Sequence, residues 1–229
     1  MATFGLVHGA WHGSWCWRRL APELESRGHR VVAVELPAAD AAVGLTGYAD
    51  TIVAALGDAD DVVLVGHSLG GASIPLAAGA RPVAHLVFLC ALLPEPGRSV
   101  TDRYTTDDVL VPGFAGNTHT RDDGASVWSD PAAAGRLLYH DCSEEDAAFA
   151  AARLRPQAAA PRTERWPLDA IPPLERTSIL CRDERCIRPA WSRRMSLELL
   201  GVECVELAGG HSPFLSRPAE LAGALCRVA

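Results

Sequence analysis

One serine is fenced by residues with almost no side chain: Val63-Leu64-Val65-Gly66-His67-Ser68-Leu69-Gly70-Gly71. A serine hydroxyl is a poor nucleophile until a neighbouring base takes its proton and the backbone holds it clear of its surroundings. Gly66-His67-Ser68-Leu69-Gly70 fits G-x-S-x-G, with an apolar run before it and an apolar stretch through Ile74, Leu76 and Ala77 after it. That is the context of a nucleophile on a sharp strand-to-helix turn, and the alternative is a structural glycine turn. His211, in Leu207-Ala208-Gly209-Gly210-His211-Ser212-Pro213, is the candidate base. Arg182-Asp183-Glu184-Arg185 offers two adjacent carboxylates to orient it, and only one can face His211 because neighbouring side chains diverge. The other is expected to be a solvated partner for Arg182 or Arg185. Acyl transfer also needs backbone N–H donors for the oxyanion, expected from Leu69 and from Ala10 in His8-Gly9-Ala10-Trp11-His12-Gly13.

The elements that must position these groups follow from hydrophobic patterning. Six short runs rich in β-branched residues recur at Thr3–Val7, Arg30–Leu36, Asp61–Gly66, His85–Cys90, Thr177–Cys181 and Glu203–Leu207. Most are continuously apolar, as strands covered on both faces are. Helical patterns fall between them at Trp15–Arg27, Leu45–Leu56, Leu69–Gly79, Pro189–Leu200 and Pro218–Val228. The alternation predicts an α/β fold, a six-stranded mostly parallel sheet flanked by helices. It fails between Leu93 and Pro173, in a stretch rich in Pro, Ala, Asp and Arg that is too long for a plain loop. The expected division is a core of residues 1–93 and 174–229, with residues 94–173 a small, mainly helical cap inserted after the fourth strand. Such a cap would lie over the carboxyl ends of the strands, where open α/β sheets bind ligands.

Composition narrows the function. The net charge of −7 excludes the basic footprint of a nucleic-acid binder, although all 21 basic residues are arginine. No apolar run reaches the roughly 18 to 20 residues of a membrane span. The opening Met1-Ala2-Thr3 lacks a basic leader region, and the seven cysteines are odd in number and scattered. Both features predict reduced thiols in a cytoplasmic protein. His8 and His12 are four apart, but the flanking glycines argue against a helix that would aim both at one metal, and Cys181 with Cys186 lacks histidine partners. No metal and no cofactor are expected.

Three stretches together carry a family resemblance: Leu6-Val7-His8-Gly9-Ala10-Trp11-His12-Gly13-Ser14-Trp15-Cys16-Trp17, Gly66-His67-Ser68-Leu69-Gly70-Gly71 and Gly210-His211-Ser212-Pro213-Phe214. The chain resembles the α/β-hydrolase superfamily, in the branch of plant methylesterases, hydroxynitrile lyases and small bacterial esterases. The resemblance covers nearly the whole chain, with the cap matched loosely. It implies a serine hydrolase acting on a small carboxylic ester or thioester through an acyl-enzyme, with Ser68 as nucleophile, His211 as base, and Ala10 and Leu69 as oxyanion donors. For the acid, the family's spacing before a proline, counted from Pro189, favours Glu184, while its preference for aspartate favours Asp183. Lyases of this branch usually carry Thr or Asn where this chain has Gly9, and some carry Lys where it has Ser212, so the resemblance favours the esterase.

Gly9, Trp11, Tyr139, His140 and Phe214 are the candidates to contact substrate, Tyr139 and His140 from the cap and Phe214 as a pocket wall beside His211. Their aromatic character suggests an apolar pocket for a small-molecule ester. Arg98 and Arg103, at the cap entrance, leave a phosphate-bearing substrate open. Three alternatives share these residues: an acyl-transfer cyclase, a lyase of secondary metabolism, and a non-catalytic ligand-binding protein. A homodimer is one option for assembly.

Overall fold

A computed structural model describes all residues, 1–229. Strands β1 (Thr3–Val7), β2 (Arg30–Val34), β3 (Val62–His67) and β4 (His85–Leu89) come first, with helices α1 (Leu20–Glu25), α2 (Leu45–Leu56) and α3 (Ile74–Ala80) between them. The stretch after β4 holds α4 (Val100–Thr106), a hairpin of β5 (Thr118–Thr120) and β6 (Ser126–Trp128), then α5 (Pro131–Leu138), α6 (Glu144–Ala151) and α7 (Ala160–Thr163). The chain returns to the sheet with β7 (Glu175–Cys181), α8 (Pro189–Met195), β8 (Cys204–Leu207), α9 (Pro213–Ser216) and α10 (Pro218–Leu225).

The main sheet has the order β2-β1-β3-β4-β7-β8, and all five pairings are parallel. The continuous apolar runs explain the arrangement. β1 and β3 are buried at every residue, so both faces of these central strands are covered by helices. A parallel sheet gathers all its carboxyl ends along one edge, and the loops leaving β1, β3, β7 and β8 there carry Ala10, Ser68, Glu184 and His211.

Three expected helices are split. Trp15–Arg27 becomes a 3-10 turn over Ser14–Arg18 followed by α1, with Pro22 near the start of α1 where its missing N–H costs little. Leu69–Gly79 becomes a 3-10 turn over Ser68–Ala72 followed by α3, which starts beside Pro75. Pro189–Leu200 is α8 continued by a π-helical turn over Ser196–Leu200. The regular structure of the insertion is mostly helical, though much of the stretch is loop, and its antiparallel hairpin β5–β6 is a feature the sequence did not predict. Strands of three residues are too short for alternation to show. The one available signal was Asp123-Gly124 in the connecting loop, with Gly124 at φ +79°.

Candidate active site

Ser68 sits at φ +50°, in the left-handed region that a side chain with a Cβ rarely adopts. The tightness of the surrounding backbone explains the glycine fence. A Cβ on Gly66 would lie 2.8 Å from the Cα of Gly71, and one on Gly70 would lie 2.7 Å from the carbonyl oxygen of His8. Neither can give way, since both are backbone. The carbonyl of Ser68 accepts from the amide of Leu92 at 3.0 Å, which ties the turn to the end of β4. Leu69 lies in the first turn of the 3-10 segment, where backbone N–H groups have no partner within the helix.

Ala10, Trp11, Ser68, Leu69 and His211 line one cavity of about 200 Å³, with mostly apolar walls from Leu92, Leu110, Phe114 and Ile187. Trp11 is held at φ +62° and its indole N–H donates to the carbonyl of Ser126 at 3.1 Å, so the loop after β1 is tied to the hairpin. Its ring meets Trp128 edge-on at 5.5 Å.

The two carboxylates have separate partners. Nδ1 of His211 donates to Oε2 of Glu184 at 2.7 Å, and the other oxygen of Glu184 accepts from the Cys186 amide at 2.8 Å. Both side chains are buried, with 4% and 3% of their surface exposed, so little water competes for the bond. Asp183 is exposed, as the sequence suggested for the second carboxylate, but it pairs with no arginine. Its carboxylate accepts from the Gly209 amide at 2.9 Å while its own amide donates to the Gly209 carbonyl, locking the loop after β7 to the loop that carries His211.

Tyr139, His140 and Phe214 do not line the cavity. Tyr139 is buried, and its hydroxyl pairs with Nε2 of His12 at 2.8 Å. His140 packs against Gly210, and the adjacent Asp141 accepts from the Gly210 amide at 3.0 Å, so this stretch holds the His211 loop from behind. Phe214 is buried beneath the site, 4.8 Å from the His67 ring and 4.9 Å from Trp17. Gly9 touches Ser68: a Cβ there would lie 2.8 Å from the serine's own Cβ and 2.9 Å from Nδ1 of His67. A side chain at this position would therefore force Ser68, the His67 ring or the loop after β1 to shift. Arg98 and Arg103 are matched to Asp107 at 2.9 and 3.0 Å and are not free for a phosphate.

Several supporting residues carried no signal that sequence reasoning used. Nε2 of His67 donates to the His211 carbonyl at 2.9 Å. Arg155, from the insertion, donates to the carbonyls of His12 at 2.7 Å and Leu36 at 2.9 Å, and its amide donates to the carbonyl of Trp11. His8 and His12 spend both ring nitrogens on separate partners. Nδ1 of His8 donates to Gly9 and its Nε2 accepts from Leu36; Nδ1 of His12 donates to Ala10 and its Nε2 accepts from Tyr139. The side chains of Cys90, Glu184 and His211 also come together, their polar atoms lying within 4.8 Å of one another. The neighbouring Cys181 thiol and burial push the Cys90 thiol well above its usual range, which keeps it a neutral neighbour of the Glu184–His211 pair.

Burial holds three imidazoles neutral. His8 is pushed down to about 4 and His12 to about 3, while His67 lies well below its usual value, burial being the largest cause in each. In the unfolded chain each binds a proton near pH 6.5. The stabilisation from keeping them neutral is therefore complete above about pH 6.5 and is lost as the pH falls towards 4. Each contributes a slope of about 1.4 kcal/mol per pH unit in that window. Urea unfolding at pH 7, 6 and 5 should show midpoints dropping steeply, and a flat profile would mean that these rings are protonated in the fold.

Comparison with known proteins places this geometry. The model of the alpha/beta hydrolase family matches residues 6–224. The chain belongs to that family. Among its curated relatives, this alpha/beta hydrolase is 31% identical to alpha-hydroxynitrile lyase of Arabidopsis thaliana, over 99% of this chain and 96% of that one. It is 28% identical to polyneuridine aldehyde esterase of Rauvolfia serpentina, over 98% and 94% of the two chains. Among solved structures, a pyrethroid hydrolase from Sphingobium faniae superposes with a TM-score of 0.83 at 27% identity, covering 99% of this alpha/beta hydrolase and 96% of the other chain.

Proposed function

We propose that this alpha/beta hydrolase is a serine esterase for small carboxylic esters, working through an acyl-enzyme. One observation carries the reading: Ser68, at φ +50° on its glycine-fenced turn, shares an apolar cavity with His211, whose Nδ1 is bonded to buried Glu184. Ser68 Oγ attacks the ester carbonyl as Nε2 of His211 takes its proton, and Glu184 stabilises the imidazolium. The Ala10 and Leu69 amides receive the oxyanion, each worth about 3 to 4 kcal/mol to the transition state. His211 then protonates the departing alcohol and activates the water that frees Ser68. Every group used belongs to the chain, so no cofactor takes part in this route. Two relatives are named an esterase and a pyrethroid hydrolase, which supports the reading.

The lyase route is disfavoured by Gly9, where a side chain would strike Ser68. Residues 94–173 act in this reading as the cap, since Tyr104, Leu110, Phe114 and Thr118 all face the cavity.

The test combines p-nitrophenyl esters from acetate to octanoate, an acyl thioester, and a fluorophosphonate probe with peptide mass mapping. Turnover of short esters with the label on Ser68 is the expected result. Inertness towards every ester and thioester, with no label on Ser68, would sink the reading, and ligand binding without turnover would make the protein a receptor instead.

A further inference from the structure

The cavity holds an unmatched positive charge. Of the residues lining it, His211 aside, Arg162 is the one basic side chain, and no carboxylate faces the space. Arg162 is half-buried, and its Nε is enclosed without any hydrogen-bond partner. Other arginines of the same insertion find acceptors within the chain: Arg98, Arg103 and Arg155 pair with carboxylates, and Arg153 and Arg165 donate to carbonyl oxygens. A charged group withdrawn from water without a partner is costly, and burial lowers this guanidinium's hold on its proton. An acceptor entering the cavity would offset part of that cost.

The backbone that carries it is firmly placed. Arg162 lies in α7, where its carbonyl accepts from the Thr101 hydroxyl at 3.0 Å and its amide donates to Ala159 at 2.8 Å. Two residues on, the carboxylate of Glu164 accepts from the Leu45 amide and the Thr46 hydroxyl, at the start of α2. The Trp166 indole then donates to the Ala72 carbonyl at 3.0 Å, at the end of the Ser68 turn. Tyr104 lines the same cavity within electrostatic reach of Arg162, and burial keeps its hydroxyl protonated and able to donate.

We propose that Arg162, assisted by the Tyr104 hydroxyl, binds a carboxylate on the substrate, so that the preferred esters are half-esters or acyloxy acids bearing a free carboxylate remote from the scissile bond. This rests on the esterase reading and names its substrate class. The planar fork of a guanidinium matches a carboxylate through two parallel N–H donors, and in an apolar cavity such a pair is little weakened by water. The remaining walls, Leu92, Leu110, Phe114 and Ile187, suit the methylene chain between the two ends.

The experiment compares monomethyl adipate with methyl hexanoate, and 4-acetoxybutanoate with butyl acetate, so that the carboxylate is offered on either side of the ester. The wild type should favour the anionic member of at least one pair. In Arg162→Met that preference, expressed as a ratio of kcat/KM values, should fall about 10- to 100-fold, chiefly through KM, with Arg162→Lys retaining part of it. Thermal melting of each variant guards against a folding defect. A wild type without anionic preference, or a ratio that Arg162→Met leaves unmoved in a folded protein, overturns the proposal while the esterase reading stands. Calorimetry with Ser68→Ala separates the two ideas if no ester turns over. Adipate binding that disappears in Ser68→Ala/Arg162→Met supports the anion site without the chemistry, and absent adipate binding overturns it.

Discussion

Ser68→Ala lowers kcat for p-nitrophenyl butyrate by about 10⁴- to 10⁶-fold and leaves the melting temperature nearly unchanged. The loss is large because no other group in the cavity replaces the hydroxyl: the remaining wall is apolar apart from Tyr104, Thr118, Arg162, Cys186 and His211. Whatever rate survives comes from the oxyanion amides and from binding. A companion variant separates chemistry from strain. Ser68→Gly is equally inactive, but it removes a Cβ from a residue at φ +50° and should therefore stabilise the fold by about 1 kcal/mol. In a chain of this size that raises the melting temperature by roughly 2 to 4 °C. Initial rates and melting curves for both variants check the pair of claims. Retention of more than a hundredth of wild-type turnover in Ser68→Ala would mean that the nucleophile lies elsewhere.

Glu184→Gln reduces kcat by about 10³- to 10⁴-fold, whereas Asp183→Asn reduces it less than tenfold. The difference follows from what each side chain touches. Glu184 accepts the Nδ1 proton of His211, which leaves Nε2 bare to receive the serine proton. A glutamine amide can present its N–H₂ to Nδ1, favouring the tautomer with the proton on Nε2, and that ring cannot act as a base. Asp183 accepts from the Gly209 amide, and an asparagine oxygen can keep accepting there. Rates of the two variants over a range of pH decide the matter, and a reversal of the order would assign the acid to Asp183.

Much of this molecule is legible in its sequence because the physics is local. Glycines at 66 and 70 are demanded by backbone contacts within a few residues of the turn or across one strand pairing. The runs through Phe4, Leu64, Val65 and Phe88 are apolar on both faces because helices cover both. The choice between Asp183 and Glu184 could not be made on residue chemistry, since it depends on which way two adjacent side chains turn from β7. The insertion was the least readable part. Tyr139 and His140 have the look of pocket residues but serve as supports, and Arg155 and Arg162 are two arginines among 21 whose places are set by tertiary folding.

The position of the insertion between β4 and β7 has a consequence for how this chain can vary. The groups proposed to make and break bonds hang from loops leaving β1, β3, β7 and β8, while the outer wall of the cavity comes largely from one contiguous stretch of chain. Substitutions, insertions and deletions in that stretch can redraw what enters without disturbing what reacts. The exceptions are the residues that tie it to the core: Trp11 bonded to Ser126, Arg155 gripping the loop after β1, Tyr139 paired with His12, Asp141 holding Gly210, Glu164 at the start of α2 and Trp166 on Ala72. Away from these ties the two parts can drift at different rates, so a selectivity graft that keeps the tying residues has the best prospect of leaving the reacting groups in place.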